Sequence, residues 1–145
     1  MAIEKKDWIL LALRQSPLDR LHLMKALFLV WNRSGRNLPD YFEFEPYLYG
    51  PCSFEVYSVL DSLTKQGFIV QPPHPMQRWA DYYLTEQGKH AADEAAKRAD
   101  ADARRLVNEV VQEVAQSGFS DLLRKVYSEA PEFAANSLMG GIIKT

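Results

Sequence analysis

The chain has 145 residues, of which 47% are apolar and 25% charged, and its 17 basic and 19 acidic groups give a net charge of −2. This is the composition of one soluble globular domain, and the charge argues against a protein that coats nucleic acid by bulk electrostatic attraction. The single Cys52 permits no intramolecular disulfide and excludes a cysteine-rich zinc module. The longest apolar run near the start, residues 8–13, is shorter than a signal-peptide core or a membrane span. We therefore expect a cytoplasmic protein that does not enter a membrane.

Apolar residues recur at helical spacing in three early segments. They predict a first helix over residues 3–14 and a second helix that begins at Ser16-Pro17 and ends at Ser34-Gly35. A third helix is predicted from an N-cap at Ser53 to a stop at Gly67. Its inward side chains are predicted to be those of Val56, Val59, Leu60 and Leu63.

Extended structure is predicted at two places. The aromatic run 41–45 predicts a brief strand or extended segment that ends at the following proline, and Gly50-Pro51 predicts a tight turn after it. Residues 68–70 and 79–84 flank a segment with three prolines in four positions, 72–75. Because proline cannot donate to a sheet ladder, we expect two strands joined by a stiff, extended loop.

A long helix is predicted from an N-cap at Thr85 to about Gln116, with small residues along one face. Small side chains allow a neighbouring helix to approach closely, so either this helix folds back onto the preceding residues or it pairs with a second copy of the chain. We favour the homodimer. The expected interface residues are Ala92, Ala96, Ala99, Ala103, Leu106 and Val110. A short helix over 121–128 and an apolar tail with Leu138 and Ile142 complete the chain.

The order helix, helix, extended segment, helix, hairpin is that of a winged helix-turn-helix, with the hairpin as the wing. Phe-Glu-Phe-Glu-Pro-Tyr-Leu-Tyr-Gly-Pro at 42–51, Gly-Phe-Ile at 67–69 and Tyr-Leu-Thr-Glu-Gln-Gly at 83–88 make the resemblance more specific. The sequence resembles PadR-type and related prokaryotic winged-helix regulators over about residues 5–90. Its Tyr-Gly-Pro turn is similar to that of the Panacea-type antitoxin domain.

The resemblance implies an α+β fold that is mostly α, a winged helix-turn-helix with a long C-terminal helix. Residues 1–84 would form the winged-helix domain, with 53–66 as the recognition helix. Residues 85–145 would form a helical segment for dimerisation or packing, followed by the tail.

Charge is distributed unevenly along the chain. Residues 1–36 carry seven basic and three acidic groups, a net charge of +4, whereas the remainder carries −6. This asymmetry permits a local anion-binding face, although unevenly charged helix surfaces are an equal alternative. The candidate DNA contacts are Arg20, Lys25, Arg33, Arg36, Ser53, Ser58, Lys65, Gln66 and Arg78. The outward face of the third helix differs from that of a typical DNA-reading helix, because it carries two acidic residues, Glu55 and Asp61, and only one basic residue, Lys65.

We expect a DNA-binding transcriptional regulator that acts as a homodimer on duplex DNA. It would need no cofactor or metal and would not be an enzyme, because its three histidines lie in different predicted elements without ligand spacing. The alternative is an antitoxin-like or adaptor module that binds a toxin or another protein through its third helix and aromatic segment. A structural domain of a larger assembly is a third alternative. In that aromatic segment, Tyr47 and Tyr49 are expected to reach the surface while the other rings fill the core.

Overall fold

The fold is α+β and mostly helical, as predicted. The computed structural model describes residues 3–76 and 79–135. Its α-helices are α1 (Lys5–Gln15), α2 (Arg20–Arg33), α3 (Phe54–Lys65), α4 (Glu86–Arg98), α5 (Ala101–Ala115) and α6 (Phe119–Glu129), followed by a short 3-10 helix (Pro131–Ala134). Its strands are β1 (Glu45–Tyr47), β2 (Gly50–Cys52), β3 (Ile69–Val70) and β4 (Tyr83–Leu84).

Helix α2 forms the centre of the molecule. All residues from 23 to 30 are buried, and α1, α5, α6 and strand β2 pack around the helix. A helix whose apolar residues face every direction must be covered on every side, and the elements packed around α2 cover it in this way. One hydrophobic cluster extends from Trp8 in α1 to Phe133 in the 3-10 helix. None of the helices in the described ranges is both long and apolar enough to cross a membrane.

The first strand pair differs from the prediction. Strands β1 and β2 are antiparallel, with Tyr47 opposite Gly50 and Pro46 opposite Pro51. The chain therefore turns at residues 48–49, and the prediction of a turn at Gly50-Pro51 was wrong. The two prolines face each other at a position of the antiparallel ladder that requires no N–H donor, so they do not interrupt the pairing. Gly50 itself has a φ of +92°, in the left-handed region that glycine tolerates.

The second strand pair confirms the predicted hairpin. Strands β3 and β4 are antiparallel, with Ile69 opposite Leu84 and Val70 opposite Tyr83. The N–H of the adjacent Tyr82 donates a 2.9 Å hydrogen bond to the carbonyl of Leu18. This bridge attaches the hairpin to the segment that connects α1 and α2.

The long C-terminal helix predicted over residues 85–116 is divided into α4 and α5. Ala99 is extended, and the Asp100 carboxylate accepts a 3.4 Å hydrogen bond from the N–H of Asp102 as the N-cap of α5. Arg104 donates to the carbonyl of Ala96 at 2.7 Å and to that of Ala99 at 3.1 Å. The prediction failed because Asp100 and Arg104 are four residues apart, the spacing of an ion pair along a continuous helix, whereas in the structure these two side chains cap the two helix ends.

The alanine-rich face of α4 and α5 packs within the same chain. Helix α4 lies along α1, and α5 contacts both α1 and α2. Of the six residues expected at a homodimer interface, Ala92, Ala96, Ala99 and Val110 are buried there, and Ala103 and Leu106 are half-buried. Their packing corresponds to the fold-back alternative, and the homodimer stays a prediction.

Two ion pairs join α1 to α4. The carboxylate of Asp7, which is buried, lies 2.9 Å from the guanidinium of Arg98. At the other end of α1, Arg14 donates a 2.9 Å hydrogen bond to Asp93. Because a buried carboxylate needs a counterion, the Asp7 pair fixes the position of α4 on α1.

Candidate functional site

The cations predicted near the end of α2 are paired within the chain. Arg33 donates two hydrogen bonds to Glu113 of α5, at 2.9 and 3.1 Å, and two to Glu129 of α6, at 2.6 and 3.0 Å. Arg36 donates to Glu132 at 2.7 Å and lies over the ring of Trp31. These carboxylates neutralise the cations that the sequence assigned to phosphate contacts.

The candidates on α3 form no common cationic face. Ser53 is buried, and its N–H points to the sulfur of Met24 at 3.4 Å, so it is not available to a ligand. Ser58, Lys65 and Gln66 are exposed, as predicted for an outward face. The ammonium of Lys65, however, lies 3.0 Å from the carboxylate of Asp61. Arg78 lies outside the described residues.

Two other predicted cations, Arg20 and Lys25, line one cleft of about 320 Å³. We call it the aromatic cleft. Helix α2 supplies both cations, and rings from three other segments supply the walls. Its remaining lining residues are Leu21, Tyr47, Leu48, Tyr49, Gly50, Cys52, Phe54, Tyr57 and Trp79. The β1–β2 hairpin, the start of α3 and the segment before β4 thus meet at one end of α2.

Arg20 stacks on the wall of the cleft. Its guanidinium carbon lies 3.9 Å from the centroid of the Trp79 ring and 5.5 Å from that of Tyr57. The Nε–H of Arg20 is buried and has no hydrogen-bond partner among the described residues. The cation–π contacts hold the guanidinium plane against the rings and leave its donors without a carboxylate.

Lys25 is the least expected residue of the cleft. Only 2% of it is exposed, and among the described residues it has no ion-pair or hydrogen-bond partner. Burial lowers the pKa of its ammonium group to about 8, against the weaker opposing effects of Cys52 and Asp19. Its stem passes Gly50 so closely that a Cβ there would lie 3.3 Å from Lys25 Cε. The chain therefore keeps a partly destabilised cation beneath the cleft.

Large apolar side chains surround the opening of the cleft. Tyr47, Leu48, Tyr49 and Phe54 are between 38% and 54% exposed. The rings of Tyr47 and Phe54 meet edge to face with centroids 5.2 Å apart. We call these four residues the apolar rim. The expectation that Tyr47 and Tyr49 reach the surface is confirmed.

The other aromatic residues of this region fill the core, as expected. Tyr41, Phe42 and Phe44 are buried, and the hydroxyl of Tyr41 donates a 2.6 Å hydrogen bond to the carbonyl of Leu27. Cys52 is also buried, and burial raises the pKa of its thiol. A protonated thiol is a poor nucleophile, so the structure favours a packing role for Cys52.

The sequence analysis missed how Lys25, Tyr57 and Trp79 come together. Lys25 was grouped with surface cations, yet it is the only charged residue in the otherwise apolar run 23–30. That position was the available signal, because a charge inside a fully apolar helix must be buried or must serve a site. Trp79 and Tyr57 gave no such signal, since they reach the cleft only through the tertiary fold.

Comparison with known proteins does not assign the chain to a family. No family model matches the sequence, and no curated protein is significantly similar to it. The resemblance to PadR-type regulators and Panacea-type domains therefore stays a prediction.

Proposed function

We propose that the chain is a protein-interaction module and that the aromatic cleft with its apolar rim is its docking surface. The observation that carries the proposal is the clustering of four large, exposed apolar side chains around one cleft. Tyrosine, phenylalanine and arginine are enriched in the centres of protein interfaces, where they contribute most of the binding energy. The module corresponds to the antitoxin-like or adaptor alternative, with a toxin or another protein as partner.

Charge also favours a protein partner over duplex DNA. A DNA surface needs several unpaired cations at positions that match phosphates. Here Arg33 and Arg36 are bound to carboxylates of the same chain, and the exposed face of α3 carries Glu55 and Asp61. Lys25 lies too deep to reach a phosphate on a duplex surface. Only the order of the helices and strands still supports the DNA-binding hypothesis.

We further infer that residues 5–84 form a winged helix. Three helices precede the β3–β4 hairpin, and the Leu18–Tyr82 bridge adds a third extended segment to that pair. Winged helices serve as protein-interaction modules as well as DNA readers, so the fold is compatible with the proposed function.

Selection from a random peptide library displayed on phage tests the proposed function. We expect enriched peptides to bind the full chain and to lose binding to Tyr47→Ala and Phe54→Ala. Tyr83→Ala is the matched control, because Tyr83 is similarly exposed but does not line the cleft. Peptides that bind the wild type and the three variants equally would contradict the proposal, as would a library without enrichment.

Fluorescence anisotropy with mixed duplex fragments tests the competing hypothesis. Since unpaired surface cations are scarce near α3, we expect no binding at low salt. Binding that weakens steeply between low and physiological salt would instead support a DNA-binding regulator.

A further inference from the structure

We infer that the aromatic cleft recognises an acidic side chain within the partner, whose carboxylate lies against Lys25 and Arg20 while its apolar neighbours contact the rim. The inference rests on the proposed function and specifies the chemistry of the partner segment. It concerns an internal Asp or Glu of that segment.

Lys25 is buried without a counterion among the described residues. A lysine that is only 2% exposed and has no carboxylate partner among the described residues is costly, because burial removes hydration of the ammonium group without supplying a counterion. Asp19, a carboxylate that raises the pKa of Lys25 from a distance, is itself hydrogen-bonded to the ring of His22 at 3.0 Å. Because Lys25 lines the cleft, a carboxylate that enters there supplies the missing counterion. A neutral side chain would leave Lys25 without a counterion.

Arg20 presents an ordered guanidinium to the cleft. Its guanidinium is fixed against Trp79, and its buried Nε–H has no acceptor among the described residues. The planar N–H donors of arginine match the two oxygens of a carboxylate, and a guanidinium that is already ordered loses little entropy on binding. Both cations of the cleft belong to α2, the central helix of the fold, so core packing fixes the backbone from which they extend.

The walls of the cleft indicate that the acid lies inside the partner segment and not at its C-terminus. Apolar rings come from three separate segments: Tyr47 and Tyr49 from the hairpin, Phe54 and Tyr57 from α3, and Trp79 from the chain before β4. A segment that places a carboxylate on α2 therefore meets apolar surface on more than one side. We expect large apolar residues on both sides of the acid.

Binding of synthetic peptides to the full chain tests the inference. The probe is the tightest-binding acidic peptide from the phage selection, amidated at its C-terminus, together with its Glu→Gln or Asp→Asn counterpart. We expect neutralisation of the acid to weaken binding to the wild-type chain by about tenfold or more. The same change should weaken binding to Lys25→Met by a distinctly smaller factor than it weakens binding to the wild type, because one of the two cations that face the carboxylate is already absent. Lys65→Met, which removes an exposed ammonium, should behave as the wild type.

Arg20→Gln is a second variant that keeps the test decisive should Lys25→Met fail to fold. It should also reduce the preference for the acidic peptide. Cleft-binding peptides without an acid, or an equal effect of neutralisation in all variants, would overturn the inference while leaving the protein-interaction function intact. A library without any enrichment would overturn both.

Discussion

The guanidinium carbon of Arg20 lies 3.9 Å from the centroid of the Trp79 ring. The contact joins the first residue of α2 to the segment that leads into β4, and it forms one wall of the aromatic cleft. A cation that the sequence suggested for phosphate binding is thus held in a cleft lined by rings. The same cleft contains Lys25, which is almost completely buried.

Replacement of Lys25 by Met should stabilise the protein at neutral pH. Burial lowers the pKa of Lys25 from 10.5 to about 8, a difference of about 3 kcal/mol in favour of the neutral form. Below pH 8 the lysine is charged in both the folded and the unfolded state, so the folded protein bears the full free-energy cost of burying the charge. Between pH 8 and 10.5 the penalty declines, and above 10.5 it is absent. Urea unfolding should therefore show a stabilised variant at pH 7 and a smaller difference at high pH.

The exposed Lys65→Met variant is the control for this measurement and should change the free energy of unfolding by less than about 0.5 kcal/mol. A Lys25→Met variant that is less stable than the wild type at pH 7 would show that Lys25 makes a favourable contact in the fold. Greater stability combined with lost peptide binding is the pattern expected where a binding site is maintained at the expense of stability.

Gly50→Ala should destabilise the chain more than Gly35→Ala. Both glycines have positive φ, +92° and +86°, so alanine carries a backbone cost of about 1 kcal/mol at each. At Gly50 the new Cβ would also lie 2.8 Å from Leu123 Cδ2, whereas nothing lies within 4 Å at Gly35. Overpacking of this kind costs about 1–3 kcal/mol. Equal losses in urea unfolding would mean that the packing between β2 and α6 is looser than described.

Arg33→Glu should destabilise the fold because the new carboxylate would lie between Glu113 and Glu129. Arg33 holds the pKa of Glu113 at about 2, well below its usual value, through the hydrogen bonds that join α2 to α5. We expect a loss of about 2 kcal/mol in the free energy of unfolding, smaller at high salt. Arg124→Glu, which removes an exposed pair within α6, should cost less than about 0.5 kcal/mol. Similar losses for both variants would contradict a bridging role for Arg33.

The contribution of His22 to stability should decline as the pH rises. A hydrogen bond to Asp19 at 3.0 Å, together with one to the carbonyl of Ser117 at 2.9 Å, raises the pKa of His22 above 6.5 despite partial burial. Because the pKa is raised, the stabilisation by His22 is complete below pH 6.5 and is lost as the pH rises through the pKa of His22 in the folded state. The difference in unfolding free energy between wild type and His22→Gln should shrink from about pH 5 to about pH 9. A difference that stays flat over this pH range would refute the charged pair between His22 and Asp19.

The elements that local patterns determine were predictable. Helices α1 to α3 follow from apolar periodicity and their flanking breakers, and the prolines of 72–75 limit β3 and β4 to a short pair. The division between α4 and α5 was missed because the carboxylate of Asp100 has two uses in a helix. It can pair with a base four residues later or cap a new helix, and only packing against α1 and α2 decides between them.

The candidate site was less predictable than the fold. Tyr47 and Tyr49 could be placed at the surface from their position between proline and glycine. The convergence of Lys25, Tyr57 and Trp79 depends on how α2, α3 and the hairpin pack, which periodicity does not encode. The pairing of Arg33 with α5 and α6 depends on contacts 80 and 96 residues apart in the chain. For that reason, sequence charge alone overestimated the cationic surface.

The most direct test of the account is chemical-shift mapping of the full, ¹⁵N-labelled chain during titration with the selected acidic peptide. We predict that the largest changes affect the backbone amides of residues 47–57 and the indole N–H of Trp79, with little change at Ser58 or Gln66 on the outer face of α3. Changes centred on that outer face, or caused by duplex DNA and not by the peptide, would contradict the aromatic cleft as the functional site.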